Sequence, residues 1–184
     1  TSGTLTRENI SVTGQLNGVG DQYFDVTGLK PEAGRVFNKE DVKSGSAVVV
    51  IDQNTKEKLF PNTTDILGKT INFNRQPLKI IGISQKQNAS FGTTDTLTMW
   101  SPYTAVVNRI TGDRNISSIE VKVKDNVSMT AAEKNVIRFL AAKHGKEDFF
   151  TVNTDSIRQT IESTTNTMRL LISCIALISL VVGG

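Results

Sequence analysis

The residues that perform covalent and metal chemistry are almost missing from this sequence, which holds one cysteine, Cys174, and one histidine, His144. A lone cysteine inside an apolar run cannot staple a water-exposed domain, and it carries no message about redox compartment. A lone histidine with no second His or Cys beside it excludes a metal site, and its place next to Gly145 suits a cation at a helix C-terminus. A Cys and His nucleophilic pair would have to use Cys174, and no Gly-x-Ser-x-Gly elbow frames any serine. Glu40 with Asp41, and Glu147 with Asp148, read as solvated turn residues. Gly68, Lys69 and Thr70 imitate the end of a phosphate-binding loop, but its leading glycine would fall at Thr63, and the segment runs into a strand. Gly18 and Gly20 lack the following helix of a dinucleotide site. No catalytic, metal or cofactor-binding residue is therefore expected in this stretch.

Clustered charge is missing too. The formal net charge is +3 and the pI about 9.0, yet Lys and Arg are interspersed with Asp and Glu, which excludes a nucleic-acid footprint. The chain starts at Thr1 with no basic segment leading into an apolar one, so no signal peptide is read here and targeting information is expected upstream. Asn9, Asn62, Asn88, Asn115 and Asn126 open Asn-x-Ser/Thr triplets, which chance produces readily in a chain rich in these residues.

What is present gathers at the C-terminus, where proline and glycine are absent from Thr154 to Val182. Asn153, Thr154 and Asp155 offer capping oxygens, so a helix is predicted to start there. Ile157, Ile161, Thr165 and Met168 recur at helical spacing as a narrow apolar stripe that needs a neighbour. From Leu170 the helix is apolar all round, through Leu171, Ile172, Ile175, Leu177, Ile178, Leu180, Val181 and Val182, with no charge after Arg169. That composition predicts lipid. Residues 170–184 would rise only ~22 Å against the ~30 Å hydrocarbon core, so the span is expected to be truncated and the chain to be a fragment.

Upstream, residues 1–20 alternate as strand around a turn at Arg7 to Asn9, with Ile10, Val12 and Leu16 in phase, while Gly14, Gly18 and Gly20 weaken its far end and predict a bulge or bend there. Tyr23, Phe24 and Val26 are core anchors on a short turn, and Asn38 with Asp41 is set to cap a helical turn. The β-branched run Ala47 to Ile51 predicts a central strand. Asp52 caps a short helix through Leu59 and Phe60, ended by Pro61. A hairpin follows, with Ile71 and Phe73 on one arm, Leu78, Ile80 and Ile83 on the other, and a turn at Asn74 to Gln76. Residues 86–95 read as an exposed loop, Thr96 to Trp100 as a strand, and Ser101 with Pro102 as a helix opening.

From Ser117 the pattern changes. Ile119, Val121 and Val123 alternate with polar residues as a half-buried strand. Thr130 and Glu133 stand at capping-box spacing before a helix faced by Ala132, Val136, Phe139 and Leu140. Gly145 ends that helix, and Asp148 to Val152 supplies a second strand. A lone βαβ unit needs a partner. Its partner is expected before Thr1, which makes residues 1–116 an insertion.

Gly18, Val19, Asp21, Tyr23, Phe24, Val26, Gly28, Gly34, Arg35, Phe37 and Asp41 begin an ordered series of matches. It continues through Val48 to Ile51, Leu59, Phe60, Pro61, Gly68, Ile80 to Gly82, His144 to Lys146, Asp148 to Phe150, and Ile178 to Gly184. In this order they resemble the extracytoplasmic core domain of MacB-type ABC transporters over nearly the whole chain. The resemblance implies an α+β fold. Residues 1–116 would form a mostly-β, sabre-like insert, 117–152 the βαβ half of a split porter-like unit, 153–169 a stalk helix, and 170–184 the start of a transmembrane helix. It further implies an efflux pump of the bacterial inner membrane, with residues 1–169 mainly periplasmic. Such pumps are homodimers that work with a periplasmic adaptor of the MacA type and an outer-membrane channel of the TolC type. They export hydrophobic small molecules or peptides by mechanotransmission, and ATP and magnesium bind an upstream domain. The competing readings are a lipoprotein-releasing relative and a membrane-tethered sensor ectodomain.

Overall fold

The computed structural model describes residues 1–61, 63, 65–85, 96–124, 126–146 and 149–183, and the side chains at 155, 156, 158, 159 and 180–183 lie outside that description. The chain divides into two units, Thr1–Lys122 and Val123–Gly184. The loop expected at 86–95 lies outside the described residues, as does the Glu147 and Asp148 pair.

The first unit is a sheet that closes on itself. Its strands are β1 (Ser2–Arg7), β2 (Ile10–Val19), β3 (Pro31–Gly34), β4 (Val48–Ile51), β5 (Thr70–Phe73), β6 (Gln76–Ser84) and β7 (Thr98–Pro102). The ring runs β6, β4, β7, β2, β1, β5 and back to β6, and β3 is added beside the C-terminal half of β6. Two of the ladders are parallel, β4 with β6 and β2 with β7. Closure leaves few unpaired edges, as in other small barrels.

The sequence dictates most of these elements locally. β1 and β2 are joined at Glu8 and Asn9, and β5 and β6 at Asn74 and Arg75, whose positive φ values of 48° and 69° suit a tight two-residue hairpin. β4 is the central strand that its β-branched run predicts, with Val49, Val50 and Ile51 fully buried. Val49 and Ile51 join Leu5, Leu16, Ile71, Phe73, Leu78, Ile80 and Met99 in one core. Val50 and Trp100 point the other way, into a second core with Phe24, Leu29, Phe37 and Val42. Phe24 meets Phe37 edge-on at 5.1 Å and Trp100 at 6.4 Å, the arrangement that ring quadrupoles favour.

Short helices cover this second core or close the barrel ends. α1 (Tyr23–Thr27) carries Phe24, so the expected turn there is one helical turn. α2 (Lys39–Ser44) has the capping box of Asn38 and Asp41, and Arg35 hydrogen bonds hold the Asp41 carboxyl below its ordinary range. α3 (Gln53–Leu59) starts at Asp52 as expected.

Two expectations fail here for physical reasons. Ser101 does not cap a helix, because it is inside β7 and its hydroxyl donates to the Val48 carbonyl at 2.8 Å. α4 (Tyr103–Val106) therefore begins after Pro102, and a π turn over Val107–Thr111 extends it. Nor do Gly14 and Gly18 make a bulge, since β2 stays in unbroken register with β1 from Ile10 to Gln15 and with β7 from Gln15 to Val19, and the chain turns only beyond the strand, after Gly20. Gly18 is instead a place of close approach. A Cβ there would stand 3.0 Å from Val106 Cβ and 3.2 Å from Tyr103 Cα, so glycine lets α4 pack flat on the strand. The one register shift in the β4 and β6 ladder leaves Ile81 unpaired between Ile80 and Gly82, a β-bulge that the sequence does not announce.

The second unit contains α5 (Met129–His144) and α6 (Thr154–Gly183). Gly145 ends α5 at φ 74°, as expected. The βαβ expectation for 117–152 is met only in its helix. Residues 117–124 and 149–152 carry no strand pairing, and Ile119 and Val121 are 65% and 57% exposed. Alternation equips a segment for a sheet face but cannot create a ladder, and no described strand offers these residues its backbone.

Candidate functional site

No constellation for chemistry assembles among the described residues, where no group of three His, Cys, Asp or Glu side chains could hold a metal ion. His144 ends α5 and meets Phe149 edge-on at 6.2 Å. Gly68 is a turn residue with φ 80°, and Thr70 begins β5, so the phosphate-loop imitation opens a strand and offers no helix N-terminus to ATP or magnesium.

The buried carboxylate of Asp52 is structural. Its two oxygens accept from the Thr55 amide at 2.7 Å and the Thr98 amide at 3.1 Å, tying the start of α3 to the start of β7. Burial pushes its carboxyl above the ordinary range, and the accepted hydrogen bonds pull the other way. Asparagine caps helices as well as aspartate but has one acceptor oxygen, which leaves one of the two amides facing an NH₂ group. Asp52→Asn is therefore expected to cost about 1–2 kcal/mol and Asp52→Ala about 2–4 kcal/mol, measured by urea unfolding of this chain at neutral pH. Equal stability of Asp52→Asn and the parent chain would show that the second oxygen does nothing.

The feature that remains is α6. It is one continuous helix of 30 residues, about 45 Å long at 1.5 Å per residue, with no break at Met168 or Arg169. Ile157, Ile161 and Met168 are 49%, 44% and 62% exposed, so the stripe they form with Thr165 is largely exposed among the described residues. Thr164, Thr165, Thr167 and Ser173 turn their hydroxyls back onto the carbonyls of Thr160, Ile161, Ser163 and Arg169. These bonds satisfy the hydroxyls within the helix. Beyond Arg169, Leu170, Leu171, Ile172, Ile175, Leu177 and Ile178 are all exposed. The side chains of Leu180, Val181 and Val182, like that of the expected cap Asp155, lie outside the described residues. Among the described residues no helix is long and apolar enough to cross a membrane.

Sequence reasoning missed how α6 is fastened to α5. Glu133 does not close a capping box with Thr130, because α5 already starts at Met129. Its carboxylate accepts from Thr151 Oγ1 at 2.7 Å and from Asn153 Nδ2 at 2.9 Å. Those bonds, Asn153 first, hold the carboxyl below its ordinary range. The partners stand 18 and 20 residues away, beyond any local pattern.

Residues 1–139 match the family of MacB-like periplasmic core domains. The chain is 58% identical over 182 residues to the macrolide export ATP-binding/permease protein MacB of Neisseria gonorrhoeae, covering 99% of this chain and 28% of that protein. It is 47% identical over 184 residues to a MacB protein of Yersinia pestis, covering 100% of this chain and 27% of that one. The chain thus spans little more than a quarter of these relatives. Among solved structures, the periplasmic region of MacB from Actinobacillus actinomycetemcomitans superposes with a TM-score of 0.76 at 44% identity, over 88% of this chain and 72% of that one. The extracellular domain of the ABC-type transporter YknZ from Gram-positive bacteria gives 0.68 at 26% identity, over 80% and 74%.

Proposed function

The chain belongs to the family of MacB-like periplasmic core domains, and from that membership we propose that it is the extracytoplasmic part of an ATP-driven exporter of the inner membrane. α6 is its transmission rod, continuing as a stalk into the lipid bilayer from about Leu170. ATP and magnesium bind a nucleotide-binding domain elsewhere in the protein. Movement there is carried by the stalks of a homodimer to the aqueous domain, which expels a hydrophobic small molecule or peptide towards a periplasmic adaptor and an outer-membrane channel. The relatives are named for macrolide export, which makes macrolides the first substrates to try.

The observation that carries this reading is the unbroken helix, polar from Thr154 and apolar from Leu170, with no glycine or proline before Gly183. A rigid rod with that change of surface is suited to work across a membrane boundary, since bending it would cost backbone hydrogen bonds along its length. The test is expression of the full-length protein with its adaptor in a bacterium lacking such a pump. Macrolide tolerance that depends on both proteins and on ATP hydrolysis is the expected result. Adaptor-independent release of lipoproteins to a chaperone would replace it with the lipoprotein-releasing reading.

A further inference from the structure

The connection between α5 and α6 is secured at both of its ends. Near the start of α5, one Glu133 carboxylate holds Thr151 and Asn153. At the end of α5, His144 packs edge-on against Phe149. Asn153 is the junction, because its side chain donates to Glu133 while its backbone carbonyl accepts from the Ile157 amide in the first turn of α6. A displacement of α6 along its axis therefore pulls on α5 through two hydrogen bonds to a charged acceptor, which are stronger than bonds between neutral groups.

We infer that Glu133 is a coupling clasp, a positioning residue that makes α5 move with α6 during the transport cycle. This rests on the reading of α6 as a transmission rod. Without the clasp, part of the stroke of α6 would not reach α5, and ATP hydrolysis would continue with less substrate moved.

The test uses the full-length transporter in membranes with its adaptor and reads two quantities, amide hydrogen exchange over residues 151–157 and export per ATP hydrolysed. Glu133→Ala is expected to speed exchange and to lower export per ATP, each about three- to tenfold, since charge-assisted bonds to one group are lost together. Glu133→Gln keeps one acceptor oxygen and the same helix propensity, so it should fall between the parent and Glu133→Ala; it also serves if the alanine variant misfolds. Thr151→Val with Asn153→Ala should lower export per ATP at least as much, and adding Glu133→Ala should lower it no further, because the two bonds that Glu133 accepts are already gone. Multiplying losses, or faster exchange with unchanged export per ATP, would overturn the clasp. Failure of the rod reading looks different, because glycine substitutions within α6 would then also leave export intact.

Discussion

Glycine in place of both Thr164 and Thr165 is expected to lower export per ATP hydrolysed about fivefold in the full-length transporter, while hydrolysis itself persists. Glycine costs roughly 1 kcal/mol per residue against alanine in a helix and threonine roughly half that, so the pair loses about 1 kcal/mol of helix stability. That is a factor of about five in the ratio of intact to broken rod. Both hydroxyl bonds back to Thr160 and Ile161 are lost as well. The substitutions lie in the polar half of α6, before Leu170, where water competes for any carbonyl that opens. Thr164→Ala with Thr165→Ala is the control, because it removes the same hydroxyls but strengthens the helix and should preserve coupling. Export that is unchanged in the glycine variant would remove the mechanical role of α6.

The second large effect is in the barrel. Gly82→Val is expected to destabilise the chain by about 3 kcal/mol, a drop in Tm on the order of 6–12 °C for a protein of this size. A Cβ at Gly82 would fall inside van der Waals contact of the Arg35 carbonyl oxygen, a backbone atom that cannot rotate away. Arg35 is held from two sides, by its amide bonded to the Ile81 carbonyl at 2.9 Å and by its guanidinium bonded to Asp41 at 2.7 Å. Relief would require moving β3 off β6. Differential scanning calorimetry of this chain checks it, and a Tm within a degree or so of the parent would mean that the strand shifts freely.

The contrast between these two sites is one of range. The periodicity and lack of breakers that predict α6 are properties of consecutive residues, and a helix needs only those for its backbone hydrogen bonds. Asp52 and the Asn38 and Asp41 pair were equally readable, since a cap and its amides are three residues apart. Ser101 was misread for the opposite reason. A serine before a proline is a good cap locally, but the Val48 carbonyl, 53 residues away, claims its hydroxyl and keeps it in a strand. The glycines of β2 differ likewise, because the strand keeps its register through Gly14 and Gly18, and Gly18 admits the distant helix α4.

By itself, then, the sequence determined the family, through its ordered series of matching residues, and it determined the central strand, the capped short helices and the unbroken C-terminal rod, which rest on local hydrogen bonding and on which face of an element is apolar. Only the tertiary structure decided that the sheet closes into a ring, that β6 bulges at Ile81 against β4, and that Glu133 reaches Thr151 and Asn153. Each of these brings together groups far apart in the chain, and such meetings depend on how whole elements pack.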